Sequence, residues 1–287
     1  MNLSEYQRAK SGTLALRLEP RAKFKFTGQD RVRYLNGQTT NDVRSLRPGQ
    51  AQHSCVCNTK ARMDAEIHLA ATADALWVDA DATLSDSLGL RFEKYIIADD
   101  VLLENVSASW NLYHVIGAEP AAAAASMSFP SNRFGLPGYD LWIPGDNEAP
   151  TCASPETVEL LRIRQGIPLW GRDMTPDHLP PEAGLEPDAI SYSKGCYIGQ
   201  EIIARLKSVG QVARRLVQLS GDGALPATLP MPCFADGVEV GQATSAALDP
   251  ETGRLFVLAM IKRNHSQPGC SLTVGGCNLQ VLDRSQK

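Results

Sequence analysis

The segment Lys194-Gly195-Cys196-Tyr197-Ile198-Gly199-Gln200-Glu201 holds the densest set of chemically able side chains in this 287-residue chain. A thiol and a phenol ring sit between two glycines, which permit a tight backbone path and close approach of a ligand. An ammonium two positions before the thiol favours its thiolate, the reactive form of cysteine. Cys196 is therefore the candidate functional thiol and Lys194 its electrostatic partner. Gly195 and Gly199 shape the loop, and Tyr197 supplies an aromatic wall. Gln200 and Glu201 then open a helix through Ile202, Ile203 and Leu206, where an acid near the helix start also has a purely structural reason to be present.

Two further clusters invite a chemical reading. The polar run Asn36 to Asp42 is either a frayed helix end with a turn or a rim facing a ligand. In the second case Asn36, Gln38, Thr39 and Asn41 are binding candidates, joined by Arg62 from the Lys60-Ala61-Arg62 turn. His53, Cys55 and Cys57 alternate, so on a strand they share a face. Small thiols packed against a core explain that spacing better than a metal does, and no metal ligand is assigned. Seven cysteines without a Cys-x-x-Cys pair indicate reduced thiols, not a disulfide framework.

The elements that must carry these groups follow from periodicity. Phe24 and Phe26 alternate with Lys23 and Lys25 as in a half-buried strand, Gly28 breaks it, and Asp30 can cap a helix that turns Val32, Tyr34 and Leu35 inward. Strand-like runs span 52–78 and 101–116, and Leu84, Leu88, Phe92 and Ile96 recur at helical spacing between them. Pro120 with five following alanines predicts a short helix. Residues 130–150 read as loop and strand, because Phe134, Tyr139 and Trp142 need burial. Ser154, Pro155 and Glu156 start a helix with Val158, Leu160, Leu161 and Ile163 on its apolar face, ended by Gly166 and Pro168. A proline-rich segment follows to Ser193, and its length marks it as functional or wrapping. After Arg205 short strand candidates dominate, which indicates a small β-barrel or sandwich.

Composition bounds the function. The chain is 43% hydrophobic, with 28 basic and 32 acidic side chains and a formal charge of −4. Global disorder is excluded, and so is a protein that grips nucleic acid by bulk positive charge. Lys207, Arg214 and Arg215 form a small basic cluster, but no aromatic residue interleaves with it as a stacking platform requires, so direct nucleic-acid binding is disfavoured. No apolar run is long enough for a membrane span. The polar stretch Met1 to Lys10 lacks the apolar centre of a secretory signal, and a cytoplasmic location is expected.

The octapeptide at 194–201, followed by Ile-Ile-Ala-Arg, resembles the signature of the YgfZ family, folate-binding proteins similar to the T-protein, the aminomethyltransferase of the glycine cleavage system. Phe26-x-Gly28-x-Asp30 with Tyr34 to Val43, Arg164-Gln165-Gly166-Ile167-Pro168 leading to Gly171-Arg172-Asp173, and Val240-Gly241 with Thr244-Ser245 extend the resemblance along nearly the whole chain. It implies an α+β fold of three domains in a ring around a channel for a tetrahydrofolate-type ligand. Residues 1–207 would form an aminomethyltransferase-like body of two interleaved α+β subdomains, and residues 208–287 a C-terminal β-barrel. The implied role is assembly or repair of iron–sulfur client enzymes, which reaches tRNA modification indirectly. Asn36, Gln38, Thr39, Asn41, Arg62 and Tyr197 would contact the folate.

Departures from the T-protein pattern point away from catalysis. Where that family carries an Asp-Asp pair, the chain reads Ala65-Glu66, with Asp64 one residue earlier. Arg162-Ile163-Arg164 stands where the family offers Arg-x-Glu to the pterin. The resemblance therefore implies a non-catalytic or weakly catalytic relative. The alternative, a tetrahydrofolate-dependent aminomethyl transferase or demethylase, would need Asp64 or Glu66 as its acid or base.

Overall fold

Alternation along one strand sets out the chemistry of the fold. Over Met63–Ala71 the side chains of Met63, Ala65, Ile67 and Leu69 are buried, so Asp64, Glu66 and His68 share the opposite face. The computed structural model describes residues 3–18, 20–119, 126–148 and 150–283. The alanine run behind Pro120 lies outside them. Among the described residues the chain is α+β. Its helices are α1 (Leu3–Ser11), α2 (Arg31–Gln38), α3 (Ser85–Glu93), α4 (Pro155–Gln165), α5 (Glu186–Ala189) and α6 (Gln200–Ser208). The strands begin with β1 (Thr13–Arg17), β2 (Arg21–Thr27), β3 (Ala51–Cys57), β4 (Met63–Ala71), β5 (Leu76–Asp81), β6 (Leu102–Asn105), β7 (Trp110–Gly117), β8 (Met127–Ser131) and β9 (Gly138–Pro144). They continue with β10 (Arg214–Gly221), β11 (Met231–Ala235), β12 (Val238–Leu248), β13 (Leu255–Lys262), β14 (Ser271–Val274) and β15 (Cys277–Val281).

Two compact units result, Arg8–Ala153 with Leu185–Ser208, and Met1–Gln7 with Ser154–Gly184 and Val209–Lys287. The first holds two antiparallel sheets, ordered β3-β4-β5-β2-β6 and β1-β7-β9-β8. They meet on an apolar layer in which Trp77 packs edge-on against Trp142 and Trp110, beside Leu112 and Phe129. A buried ion cluster also joins them. Arg133 donates to Asp79 on β5 and to Asp140 on β9, each at 2.8 Å, and Asp140 also bonds His114 Nδ1 at 2.8 Å. Arg21 reaches Asp79 from β2 at 2.7 Å.

The second unit contains the expected barrel, closed in the order β10-β13-β12-β11-β14-β15 around Leu219, Val257, Ile261, Leu272 and Leu279. Helix α4 belongs to this unit. Its Arg162 is 4% exposed and bonds Asp173 (2.6 Å), Ser245 Oγ (2.6 Å) and both oxygens of Glu159. Asp173 accepts in turn from Leu169 N, Thr244 Oγ1 and Ser245 Oγ. As expected, α4 ends on Gly166 in the left-handed region.

Three local expectations need correction. Asp30 and Ser154 occupy N-cap positions, but neither side chain caps its helix. Asp30 accepts from Asp100 N, and Ser154 Oγ donates to Glu5, so distant partners outcompete the local amides. Helix α3 stops at Glu93, a turn short of Ile96, whose side chain is only partly buried. The proline-rich segment is not featureless, since it contains α5.

Each unit thus has a buried arginine whose removal strands carboxylates, or the reverse. Asp173→Ala leaves Arg162 without its most buried partner, and Arg133→Met leaves Asp79 with Arg21 alone and Asp140 with His114 alone, one positive charge short in a buried cluster. Either variant should lose about 3–5 kcal/mol in urea unfolding, more than truncation of an exposed pair such as Lys207–Glu186.

Candidate functional site

The loop at 194–199 is stitched to the C-terminal end of α2. Lys194 is 8% exposed and its ammonium donates to three carbonyls, Asn36 O (2.7 Å), Thr39 O (2.7 Å) and Asn41 O (2.6 Å). Three donors meet three acceptors, and the Tyr197 ring centroid lies 5.0 Å from the same nitrogen. All three N–H groups are therefore engaged by backbone, so Lys194 acts on Cys196 by fixing the loop and makes no hydrogen bond to the thiol. Cys196 is exposed. Tyr197 is buried, and burial pushes its phenol above the ordinary range. Ile198 N donates to Gly37 O and Ser191 N to Thr40 O, extending the seam on both sides.

The two loop glycines differ. Gly199 has φ +88°, and a Cβ there would meet Asn58 O at 2.7 Å. Around Gly195 a Cβ would find nothing within 4 Å. Only Gly199 is sterically required.

Of the rim residues named from the sequence, Asn36, Thr39 and Asn41 come together around Lys194 through their carbonyls, as its cradle, and Gln38 turns its side chain to Arg91. Asn36 Oδ1 accepts from Val43 N, Thr39 Oγ1 donates to Leu35 O, and Gln38 Oε1 accepts from Arg91. Asn41 Nδ2 donates to His53 O and Asp188 O, and its Oδ1 accepts from Asp42 N. Asn36, Gln38 and Thr39 are buried. Arg62 follows Ala61, which sits at φ 58° in a turn whose amides at Lys60 and Arg62 are held by Asn58 Oδ1.

A second cluster escaped the sequence reading because it depends on strand register. His53 on β3 pairs with His68 on β4, and their rings stack at 4.4 Å with planes 6° apart. His53 Nε2 lies 2.7 Å from Glu66 Oε1, and Arg133 Nη1 lies 2.9 Å from His68 Nδ1. The guanidinium can only donate, so His68 carries its proton on Nε2; burial first and Arg133 second hold its pKa well below the usual imidazole value. Burial opposes ionisation of Glu66, yet the adjoining imidazoles and Arg21 keep its carboxyl well below the usual carboxylate range. Donor atoms of His53, Glu66 and His68 lie within 4.8 Å of one another. Parallel rings cannot aim two in-plane lone pairs at one ion, and Arg133 already occupies His68 Nδ1. As arranged, the group is a hydrogen-bonded acid–imidazole cluster. Cys55 and Cys57 are buried in the core, and burial pushes both thiols up.

A cavity of about 460 Å³ lies against both imidazoles, with Gln52, Ser131, Asn132 and Tyr139 also on its wall. Gln52 Nε2 donates to Asp42 O, while its buried Oε1 has no partner among the described residues. Asp64, the other carboxylate on this β4 face, is bound by Arg91 Nε at 3.1 Å.

Two outcomes test the loop. Gly199→Ala should lose more than about 1 kcal/mol of stability from left-handed strain and the Asn58 contact, while Gly195→Ala is tolerated; comparable melts for both would remove the distinction. Lys194→Met should cost about 1–3 kcal/mol near pH 8 by stranding buried acceptors. Burial pushes Lys194 down to about 7 from 10.5, so across that window the unfolded chain binds the extra proton and wild-type stability relative to Lys194→Met rises with pH. Urea melts on the two sides of the window read that slope directly.

No protein-family model matches the chain. It is 28% identical over 286 residues to the tRNA-modifying protein YgfZ of Cronobacter sakazakii, covering 86% of this chain and 84% of that one. An aminomethyltransferase of Rippkaea orientalis is 33% identical over 147 residues, which is 50% of this chain and 40% of that one. The glycine cleavage system aminomethyltransferase T of Bartonella henselae superposes with a TM-score of 0.83 over 98% of this chain and 88% of its own, at 18% identity, and so shares the fold. Along most of its length the chain is thus YgfZ-like in sequence, and it is T-protein-like in fold.

Proposed function

We propose that this protein is a folate-binding accessory factor that supports assembly or repair of iron–sulfur client enzymes and so affects tRNA modification. The observation that carries the reading is an exposed Cys196 on a loop that Lys194 locks to three backbone carbonyls. A thiol fixed in position at the surface suits exchange with a partner protein better than chemistry in an enclosed cleft. The name of the Cronobacter relative as a tRNA-modifying protein agrees with that role.

Folate binding is supported by the T-protein fold and by groups in the first unit. A pterin is flat and rich in N–H donors, which the unpaired Gln52 Oε1 and the aromatic faces of the His53–His68 cavity would accommodate. Arg62 and Tyr197 are the proposed direct contacts from the loop side. Asn36, Gln38, Thr39 and Asn41, with Gly195 and Gly199, build the wall behind them. The bound folate would supply one-carbon chemistry, but Asp64 is tied to Arg91 and Glu66 to His53, so neither carboxylate stands ready as an acid or base. That engagement favours binding over transfer.

Calorimetry of the full chain with tetrahydrofolate in reducing buffer should give saturable binding and a raised melting temperature, unchanged by Cys196→Ser. Absence of binding at high micromolar ligand would remove the folate part. Reactivation of a damaged iron–sulfur tRNA-modifying enzyme should in contrast need the thiol, and equal activity of wild type and Cys196→Ser would remove the accessory part.

A further inference from the structure

We infer that the barrel-containing unit carries a separate site for an organic phosphate monoester with an apolar body, in the cavity lined by Arg172, Arg214 and Lys262. This inference does not rest on the folate reading. The cavity measures about 970 Å³ and is walled by the 171–178 turn, β12, β13 and the Leu229–Pro230 segment, all within one unit. Its volume is ample for a ligand of nucleotide size.

The cationic donors select the ligand. Two carboxylates also line the cavity, but Asp173 is already matched to Arg162, which leaves Glu239 against three permanent cations. Glu159 on Arg172 and Glu182 beside Arg214 offset two of the three, so the wall presents three cationic donors to the cavity without a large net charge, and such donors are what a phosphate group requires. Arg214 and Lys262 are direct cross-strand partners in the β10–β13 register, so like charges stand on one face of adjacent strands, an arrangement that is destabilising unless something offsets it. Glu182 offsets part of Arg214 at 3.4 Å, whereas Lys262 donates only to the carbonyl of Glu239 and pairs with no carboxylate among the described residues. The guanidinium of Arg172 is half exposed and shares Glu159 with Arg162.

Neutral donors complete the lining. Thr175 N donates to His178 Nδ1 at 3.0 Å, which leaves the other ring nitrogen as a donor. Burial and then the adjacent Arg214 hold His178 below the ordinary imidazole range, so a bound anion would raise it. Leu229, Pro230, Val240 and Met260 give the apolar part of the wall. A guanidinium pair with an ammonium and an imidazole N–H is a donor set for phosphate oxygens, and the apolar wall accepts the body that carries them.

The test uses the full chain at low ionic strength with phenyl phosphate, inorganic phosphate and benzoate, read by calorimetry and by the NMR titration of His178. Phenyl phosphate should saturate, bind about tenfold tighter than either half-probe, raise the His178 pKa, and lose about tenfold in Lys262→Ala or Arg214→Ala but not in Cys196→Ser. Lys262 is exposed, so its substitution leaves the barrel folded. A trinucleotide with a 5′-phosphate, compared with its 5′-hydroxyl twin, separates the sources. Competition by the phosphorylated form alone identifies a polynucleotide end, and failure of both to compete identifies a free small molecule. No saturable binding of phenyl phosphate, equal affinity for inorganic phosphate, or binding indifferent to both cation variants would overturn the assignment.

Discussion

The loop at 194–199 depends on one buried ammonium. Lys194 brings a charge into a site with little access to water, which is tolerable only because each of its protons finds a carbonyl. Those carbonyls belong to a six-residue stretch at the end of α2, where a helix terminus leaves acceptors without intrahelical partners. The lysine thus satisfies the frayed end of one element while fixing the start of another. Tyr197 packs beside the ammonium, Gly199 lets the chain pass close to Asn58, and Cys196 is left at the surface. The polar cradle follows from one ammonium shared by three carbonyls, and the glycine requirement from the close approach to Asn58 and Ala61.

Buried arginines fix the frameworks in the same manner. Arg133 neutralises carboxylates from two sheets, and Arg162 gathers Glu159, Asp173 and Ser245 within the barrel unit. Planar, permanently charged groups suit such positions, because a lysine could not serve divergent carboxylates in one plane. The framework in turn determines the chemistry of the β4 face. Arg133 fixes the tautomer of His68, His68 stacks on His53, and His53 holds Glu66. A carboxylate in such a chain is an oriented acceptor with little freedom to take up a proton.

The sequence made legible whatever depended on local order. The left-handed Gly166 and the late run of short strands reappear in the structure, because helix-end chemistry and strand period are set by neighbours in the chain, whereas the alternation around Phe24 and Phe26 holds only in part, since Lys23 is buried as well. The octapeptide could be singled out from residue types alone. The use made of its lysine could not, since its acceptors lie more than 150 residues away. The same limit explains Asp30 and Ser154, both correctly seen at helix starts and both turned toward remote partners. His53 next to His68 needed the β3–β4 register, which no single-chain pattern contains, and Arg133 lay in a glycine- and proline-rich stretch where only the aromatic residues attracted attention. His53, Cys55 and Cys57 do alternate on β3, but both thiols are buried while the imidazole reaches Glu66.

The engaged carboxylates and the exposed thiol bear on each other. A one-carbon transferase needs a group whose protonation can change during the reaction, and on the β4 face Asp64 and Glu66 are both held by cationic or N–H donors. Freeing either would mean breaking a contact that also orders the sheet, so catalysis there would compete with stability. No such conflict attaches to Cys196, which makes no contact the fold depends on and can react or ligate without disturbing Lys194. On the proposed reading, chemistry sits not on the β4 face but on a loop whose lysine is bound to three carbonyls and whose cysteine is exposed. Under that reading the β4 carboxylates serve binding and stability, and Cys196 is the group that a partner protein meets.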